Sequence, residues 1–377
     1  MRLIAFVYLI HFLRHGMVFP LIPLFAQQMG YSGAMIGAAV SGFSVLSMMM
    51  ALPMGRLSDR LSARTLLLLS AFFNLVYSSL LVLAQNIWVL IAAQMLGGLA
   101  FLLMIVSSQT WVSEHSERAV RERGFGFLSL VAAVGQTAGP FLGGILLSRT
   151  SFAAVFSLAV VFSLLGFSIA GLRPAARSEK RETKGARPGI KKALAGIAAD
   201  RKMCAVLILT FAAVFASNLR TSFVPVLFKA QGISESRIGL LLSAFALSMT
   251  LVRIFIGRLM GRVSREVLLG VALVLFFSAV AVLPSMASAW AAFIAMLFFG
   301  MGFGISQPLS MVMVSDRAGE ASGMAMGIRF FVITLGTLLS PVLTGLVVQG
   351  VSLAAGFYFV AGVVLAAALL IRRLGYN

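Results

Sequence analysis

Long apolar runs separated by short polar breaks follow one another along the whole chain. Each run has about the 20 residues that an α-helix needs to cross the hydrocarbon core of a bilayer. The runs contain glycine and proline and lack the two-residue alternation of barrel strands, so they predict an all-α membrane protein with twelve transmembrane helices, spans one to twelve. The predicted spans are 3–26, 33–54, 65–84, 88–112, 124–147, 152–172, 203–228, 236–256, 266–284, 289–314, 323–348 and 352–371.

The composition agrees with a chain whose solvent is lipid. Of the 377 residues, 60% are hydrophobic and 11% are charged, whereas charged residues make up about a quarter of a soluble domain. One cysteine and three histidines exclude an internal disulfide and leave few ligands for a metal cluster. Because no nucleophile–base pair or phosphate-cradling loop is visible, we expect no enzymatic activity and no cofactor.

The basic residues fall mostly on one side of the predicted membrane. The net charge is +19, and three of the 30 Lys and Arg residues lie in connections on one side, four lie within spans, and the remaining 23 lie on the other side. Cytoplasmic loops carry such an excess. We therefore expect both termini in the cytoplasm, an inner membrane of the bacterial kind, and no nucleic-acid partner.

One long polar segment, 173–202, interrupts the apolar runs and is rich in Lys and Arg. We predict that it is a basic cytoplasmic linker between an N-terminal six-helix bundle, 1–172, and a C-terminal six-helix bundle, 203–377. Its charge sets the topology and attracts anionic lipid head groups.

The two predicted bundles repeat each other at an offset of 202 residues. The segment GRLSDRLS at 55–62 returns as GRLMGRVS at 257–264, and the same offset pairs residues in other spans. Such pairs include Pro23 with Pro225, Gly30 with Gly232, Trp88 with Trp290, and Gly98 with Gly300. Parallel repeats of this kind are used by transporters for alternating access. We expect the substrate path between the two bundles.

The connection after span two carries a charged motif made of Gly55, Asp59, Arg60 and Arg64. In this position it resembles the signature of the major facilitator superfamily of secondary transporters, and the resemblance covers essentially the whole chain. It implies a charge lock on the cytoplasmic face, with Arg329 of span eleven as a partner. The basic residues also enforce topology. In the second repeat Gly261 replaces the aspartate, so a lock there is weaker or absent.

Span five carries a second motif, made of Gly126, Gly135, Gly139, Pro140, Gly143 and Gly144. Three of its glycines are spaced by four residues and allow close approach of another helix, while the proline bends span five. The pattern resembles the antiporter signature of drug-efflux branches of the superfamily, which implies export. Helix packing without a bearing on direction is the alternative. The arginine that these exporters usually carry on span four is absent from 93–98, so the resemblance does not extend to their proton coupling.

All eleven acidic residues lie at span ends or in connections. Exporters of cationic drugs generally place a carboxylate at mid-membrane, so export of a cationic drug is disfavoured. Four arginines do lie within spans. Arg253 and Arg329 are near cytoplasmic ends, where snorkelling or the lock accounts for them.

Arg14 and Arg220 lie deeper. Arg14 is about 17 Å into a core about 30 Å thick, and Arg220 lies at a similar depth in span seven. The repeat relates them to within one helical turn, and organophosphate antiporters of the superfamily resemble this chain in having an arginine on each of these spans. Two guanidinium groups without a carboxylate suit an anionic or amphipathic substrate head. The alternative is that each caps carbonyls at a helix break, near Gly16 or Pro225.

Four further polar residues are candidates for the cavity. His11 and His15 share one face of span one beside Arg14, and no buried acid accompanies them, so they are the groups there that titrate near neutrality. We expect them to be candidates for proton coupling, with structural hydrogen bonding as the alternative. Asn218 and Gln307 are expected to contribute polar groups to substrate binding.

The sequence as a whole predicts a secondary active transporter that works by alternating access. The leading interpretation is an efflux antiporter for an anionic or amphipathic small molecule, monomeric in the bilayer, with a proton or a counter-anion as the coupled species. One alternative is uptake or exchange of organic anions or organophosphates. Another is a receptor or scaffold that does not transport, suggested by the missing arginine on span four and the missing buried acid.

Overall fold

The structure is a computed structural model, and it describes residues 2–114, 118–171, 200–286, 288–318 and 322–374. Within these ranges twelve helical spans are long and apolar enough to cross a membrane. The all-α fold with twelve spans is therefore confirmed. The side of the membrane on which the termini lie stays a prediction.

The helices of the first repeat extend beyond several of the predicted runs. Span five, for example, begins at Arg118 rather than at 124, because charged residues outside the hydrocarbon region continue the same helix. The bounds are Arg2–Val18 and Ile22–Gln28 in span one, Gly33–Arg60 in span two, Ala63–Val82 in span three, Ile87–Glu114 in span four, Arg118–Arg149 in span five, and Phe152–Gly171 in span six.

The second repeat follows the same order. Its helices have the bounds Arg201–Ser222 and Val224–Ala230 in span seven, Glu235–Met260 in span eight, Arg265–Val282 in span nine, Ala289–Ala318 in span ten, Ser322–Gly350 in span eleven, and Leu353–Arg373 in span twelve.

Spans one and seven are each interrupted, although the sequence pattern predicts continuous runs. In span one a 3-10 turn, Phe19–Leu21, separates the two helices, and in span seven Phe223 separates them. Proline lacks a backbone N–H and its ring clashes with the preceding turn, so it ends or bends a helix. The prolines at the two breaks include the repeat-related pair Pro23 and Pro225.

The turns after these two spans also repeat. Gly30 and Gly232 have φ of 82° and 77°, and among the described residues they are the ones with positive φ. This left-handed conformation is readily adopted only by glycine. The repeat thus preserves a backbone conformation as well as residue types.

The chain divides into two compact units. The first consists of the described residues within Met1–Thr183 and Gly232–Ser243, and the second of those within Lys184–Gln231 and Ala244–Asn377. In the first unit, span one packs on spans five and six, and span four packs on spans two and three. In the second, span seven packs on spans ten, eleven and twelve. Because most of 173–202 lies outside the described residues, the predicted linker boundaries stay a prediction.

Two tryptophans project from the first turns of spans four and ten. Trp88 is 71% exposed and Trp290 is 77% exposed. They are a repeat-related pair, and amphipathic indole rings at span ends are typical of the interface between membrane and water.

Candidate functional site

Arg14 lies inside the first unit and contacts span three. Its guanidinium group donates a hydrogen bond to Asn74 Oδ1 and another to Ser78 Oγ at 3.4 Å. Its Cζ atom lies 5.0 Å from the centroid of the Tyr77 ring. Arg14 is 2% exposed. Among the described residues, the hydrogen bonds of Arg14 go to side chains rather than to carbonyls at a helix break. Its role as a substrate ligand stays a prediction.

The contacts of Arg14 continue into a buried polar network that joins spans one, three and six. Asn74 Nδ2 donates to the Ser70 carbonyl at 2.9 Å and lies 3.0 Å from His11 Nδ1. On the other side, Ser78 Oγ lies 2.9 Å from Ser163 Oγ of span six. The network therefore holds three helices together through side chains in the apolar interior.

Hydrogen-bond direction in this network assigns the proton on His11. Arginine has only donors, so Asn74 turns its carbonyl oxygen to Arg14 and its amide nitrogen to His11. His11 Nδ1 must then accept, which leaves the ring hydrogen on Nε2. The Nε2 atom is buried and has no hydrogen-bond partner among the described residues. In this conformation the geometry holds His11 as a neutral imidazole with an unused donor.

His15 lies in different surroundings, although it is one helical turn from His11. Its ring centroid lies 4.9 Å from Phe19, 5.2 Å from Phe43 and 4.9 Å from Phe101. We call these four residues the first aromatic cluster; they come from spans one, two and four. His15 is half-buried, and its ring is nearly parallel to that of His11 at 6.5 Å.

The second unit contains a comparable group around Arg220. The Arg220 Cζ atom lies 4.6 Å from the centroid of the Phe245 ring, and the Phe245 ring lies 5.2 Å from Phe299 and 6.1 Å from Phe303. We call these four residues the second aromatic cluster. The Arg220 Nε atom is buried and lacks a hydrogen-bond partner in the part of the chain that the structure describes.

The repeat relates the two aromatic clusters. At the offset of 202, Phe43 corresponds to Phe245 and Phe101 to Phe303. The rings of the first pair, Phe43 and Phe101, lie 5.7 Å apart. His15 contacts Phe43, and Arg220 contacts Phe245, which is the repeat counterpart of Phe43. By environment, the counterpart of Arg220 is therefore His15. The offset places Arg220 one turn from both Arg14 and His15, so spacing alone does not distinguish them, and the pairing of Arg14 with Arg220 stays a prediction.

The remaining polar candidates make local contacts. Asn218 donates from Nδ2 to the Val214 carbonyl of its own helix at 2.8 Å. Gln307 accepts from Arg329 Nη2 at both its carbonyl oxygen and Oε1, each at 3.0 Å. Arg329 also donates to Ser310 Oγ. The structure thus brings Gln307 and Arg329 together, and their roles in substrate binding and gating stay predictions.

The predicted charge lock lies mostly outside the described side chains. The structure gives helical backbone but no side-chain description at Gly55, Asp59 and Arg60, and the same holds for Gly126 of span five. Arg64 is described, and its Nη2 donates to the Gly171 carbonyl at the end of span six, at 3.2 Å.

The glycine stripe of span five lies against span one. A Cβ atom at Gly139 would lie 2.7 Å from Gly16 Cα, and one at Gly143 would lie 2.5 Å from the Met17 carbonyl oxygen. At Gly135 it would lie 2.8 Å from the Leu13 backbone nitrogen. Real Cβ atoms do not fit at such distances, so the glycines permit contact between the two backbones.

The end of the span-five motif meets the first residues of span eight. A Cβ atom at Gly144 would lie 3.0 Å from Gly239 Cα. The carbonyl oxygen of Pro140 also faces Gly239, so glycines on both helices allow this approach within the first unit.

The partners of Arg14 were missed by the sequence analysis. Ser70, Asn74 and Ser78 recur at four-residue spacing along span three and therefore share one helix face. This buried polar face was the available signal. Ser163 of span six carries no comparable pattern.

Comparison with known proteins agrees with this architecture. A family model described as Major Facilitator Superfamily matches residues 4–227 and 206–376. Multidrug resistance protein 1 of Bacillus subtilis (strain 168) is 24% identical over 341 residues, which cover 89% of this chain and 86% of that protein. Quinolone resistance protein NorA of Staphylococcus aureus (strain Mu50 / ATCC 700699) is 23% identical over 156 residues, and the match spans 40% of its length.

Solved structures share the fold. The crystal structure of nucleoside transporter NupG superposes with a TM-score of 0.81 at 14% identity, covering 99% of both chains. A bacterial homolog to human lysosomal transporter Spinster, inward-facing and unoccupied, gives a TM-score of 0.74 at 13% identity over 99% of this chain and 94% of that one. These relatives are transporters, which confirms the expectation of a transporter rather than an enzyme. They give no support to the alternative of a receptor or scaffold. On the breadth of the family match, the chain is a multi-pass membrane transporter of small molecules and belongs to the Major Facilitator Superfamily.

Proposed function

We propose that the chain exports an anionic or amphipathic organic molecule across an inner membrane by alternating access, in exchange for a proton or a counter-anion. The names of two relatives, a multidrug resistance protein and a quinolone resistance protein, support export. The span-five motif, which resembles the antiporter signature, supports the same direction.

The observation that carries the substrate class is the placement of Arg220 against Phe245. The ring face holds the guanidinium group by a cation–π contact while its buried Nε donor has no partner among the described residues. The acidic residues of the second repeat lie at span ends, so no mid-span carboxylate competes for this donor. An anionic group suits the guanidinium, and the neighbouring rings suit an apolar or aromatic body.

The first aromatic cluster supports a complementary role for His15. It places a titratable group against Phe43 and Phe101, the repeat counterparts of the rings beside Arg220. We assign His15 to proton coupling. If the coupled species is a counter-anion instead, His15 contributes a polar contact to the substrate.

Substrate class can be tested by ligand-induced thermal stabilisation of the purified protein, followed by flux in proteoliposomes. Anionic and amphipathic aromatic compounds should raise the melting temperature by mass action, and lipophilic cations should not. Arg220→Gln should weaken the affinity for anions about 10- to 100-fold, the worth of a hydrogen bond to a charged group. Arg220→Lys should retain part of the affinity for anions.

Arg237→Gln is the matched control, because Arg237 is an exposed arginine at the start of span eight. Stabilisation by cations, or unchanged anion affinity in Arg220→Gln, would contradict the proposed substrate class. Direction is measured separately with an imposed substrate gradient in oriented vesicles. Inward concentrative transport would favour the organic-anion uptake alternative.

A further inference from the structure

A small cavity lies beside Arg14 in the interior of the first unit. It has a volume of about 20 Å³ and is lined by four polar residues, His11, Arg14, Asn74 and Ser163, together with apolar side chains of spans one, three, four and six. A cavity of this size accommodates about one water-sized species.

Among the residues that the structure describes, no acidic side chain forms an ion pair with Arg14. Residues 3–54, 63–112 and 127–171, which include the apolar parts of spans one to six, contain no Asp or Glu. The described partners of Arg14 are the neutral side chains of Asn74, Ser78 and Tyr77. Burying a charge without a counter-charge is costly, so a partner of opposite sign would stabilise this site.

The unused hydrogen-bonding groups around the cavity are mainly donors. Arginine has five N–H groups, and the two bonds from Arg14 to Asn74 and Ser78 leave several unused. His11 Nε2 carries a hydrogen without a described acceptor. Asn74 Oδ1 already accepts one hydrogen bond from Arg14, and Ser163 Oγ donates its hydrogen to the Ala159 carbonyl at 2.8 Å.

This excess of donors favours an anion over water. A water molecule here would meet more donors than acceptors for its own two hydrogens, whereas a monoatomic anion only accepts. We propose that the cavity is a binding site for a small inorganic anion, chloride in the cell, held by Arg14 and by His11 Nε2. The anion lies within the helix bundle of the first unit and serves as the counter-ion of Arg14. On this proposal Arg14 binds the inorganic anion in place of its predicted role as a substrate ligand.

The site can be located with bromide, which replaces chloride and scatters X-rays anomalously. The full chain, purified in bromide, should give one anomalous peak in the cavity between His11 and Arg14. The melting temperature should rise in chloride relative to gluconate at equal ionic strength, and the rise should saturate with concentration, as expected for one-site binding. Arg14→Gln should abolish both the peak and the halide dependence.

Gly166→Ala provides a second variant if Arg14→Gln does not fold. Gly166 lines the cavity, and an added Cβ atom would meet only Ile10 Cγ2, at 4.0 Å, so the methyl group reduces the cavity without a clash. It should weaken halide stabilisation several-fold. Gly171→Ala, in the same helix with nothing within 4 Å, is the control.

Absence of an anomalous peak, with water alone in the cavity, would overturn the proposal. Full halide dependence in either Arg14→Gln or Gly166→Ala would also overturn it. Substrate affinity in the Arg220 variants is a separate readout, so failure of the anion site and failure of the proposed substrate class are distinguishable.

Discussion

Neighbouring residues of span one have separate surroundings. Arg14 points into the polar network with Asn74, whereas His15 lies among Phe19, Phe43 and Phe101. Consecutive residues of a helix do not share a face, so adjacent basic side chains can serve different purposes. The two histidines differ in the same way: His11 Nδ1 is occupied by Asn74, and His15 contacts aromatic rings.

This difference predicts that the two histidines contribute unequally to proton coupling. His15→Gln should make substrate flux independent of an imposed pH gradient while substrate binding remains. His11→Gln should keep the gradient dependence, because the hydrogen bond to Asn74 already holds His11 neutral and a glutamine oxygen can accept the same bond. Flux in proteoliposomes with and without a pH gradient measures both. Retained dependence in His15→Gln, or its loss in His11→Gln, would contradict this assignment.

The sequence identified the charged residues of this region but not their partners. A buried arginine or histidine in an apolar run is conspicuous because it is costly there. Its partner depends on which helices pack together, and Arg14 and Asn74 are separated by 60 residues. The depth of these residues in the membrane could therefore be predicted from their position in the span. Their contacts with other spans could not.

Among the elements, spans one and five are in close backbone contact. Glycines on both helices face each other, since Gly16 lies against Gly139. Without side chains between them, the two backbones gain van der Waals contact that larger residues would prevent. The pair should move as one body during transport.

This contact predicts a large effect from a single methyl group. Gly139→Ala places a Cβ atom 2.7 Å from the Gly16 backbone, so the helices must separate. We expect a loss of about 1–3 kcal/mol of stability, as for overpacking in other cores, together with loss of transport. The melting temperature and flux of the purified variant measure these effects.

Gly270→Ala is the control for this substitution. Gly270 lies within span nine with nothing within 4 Å of an added Cβ atom, so alanine should be neutral or stabilise the helix by up to about 1 kcal/mol. Normal transport by Gly139→Ala would show that the close approach is dispensable.

The elements were the best-predicted level of the structure. Hydropathy located all twelve spans because a run of apolar residues is required wherever a helix meets lipid. It did not locate the helix ends outside the hydrocarbon region or the breaks at Phe19–Leu21 and Phe223. The helix ends and breaks depend on local backbone chemistry. Hydropathy averaged over a whole apolar run does not detect it.

At the scale of the whole molecule, the repeat extends from residue types to geometry. Gly30 and Gly232 share a left-handed backbone, and the aromatic pair Phe43 and Phe101 returns as Phe245 and Phe303. The sequence offset predicted the parallel repeat, and the structure adds that this aromatic pair keeps its contact in both units.

The charge distribution predicts the orientation of the whole chain. In a Cys204→Ser background, a cysteine at Arg187 of the basic linker should react with a membrane-impermeant maleimide only in inside-out vesicles. A cysteine at Thr150, the exposed connection between spans five and six, should react only from the outer face of intact cells. This orientation is expected because cytoplasmic connections carry the excess of Lys and Arg. The opposite labelling pattern would show that the topology is reversed.

The exposed indoles at the starts of spans four and ten have a practical consequence for spectroscopy. The chain has three tryptophans, and Trp88 and Trp290 are two of them. We therefore expect much of its ultraviolet emission to originate at span ends, near the lipid head groups. Emission wavelength will follow the thickness and hydration of the surrounding membrane, and quenching by an added compound will register its partitioning into lipid before its occupancy of the protein.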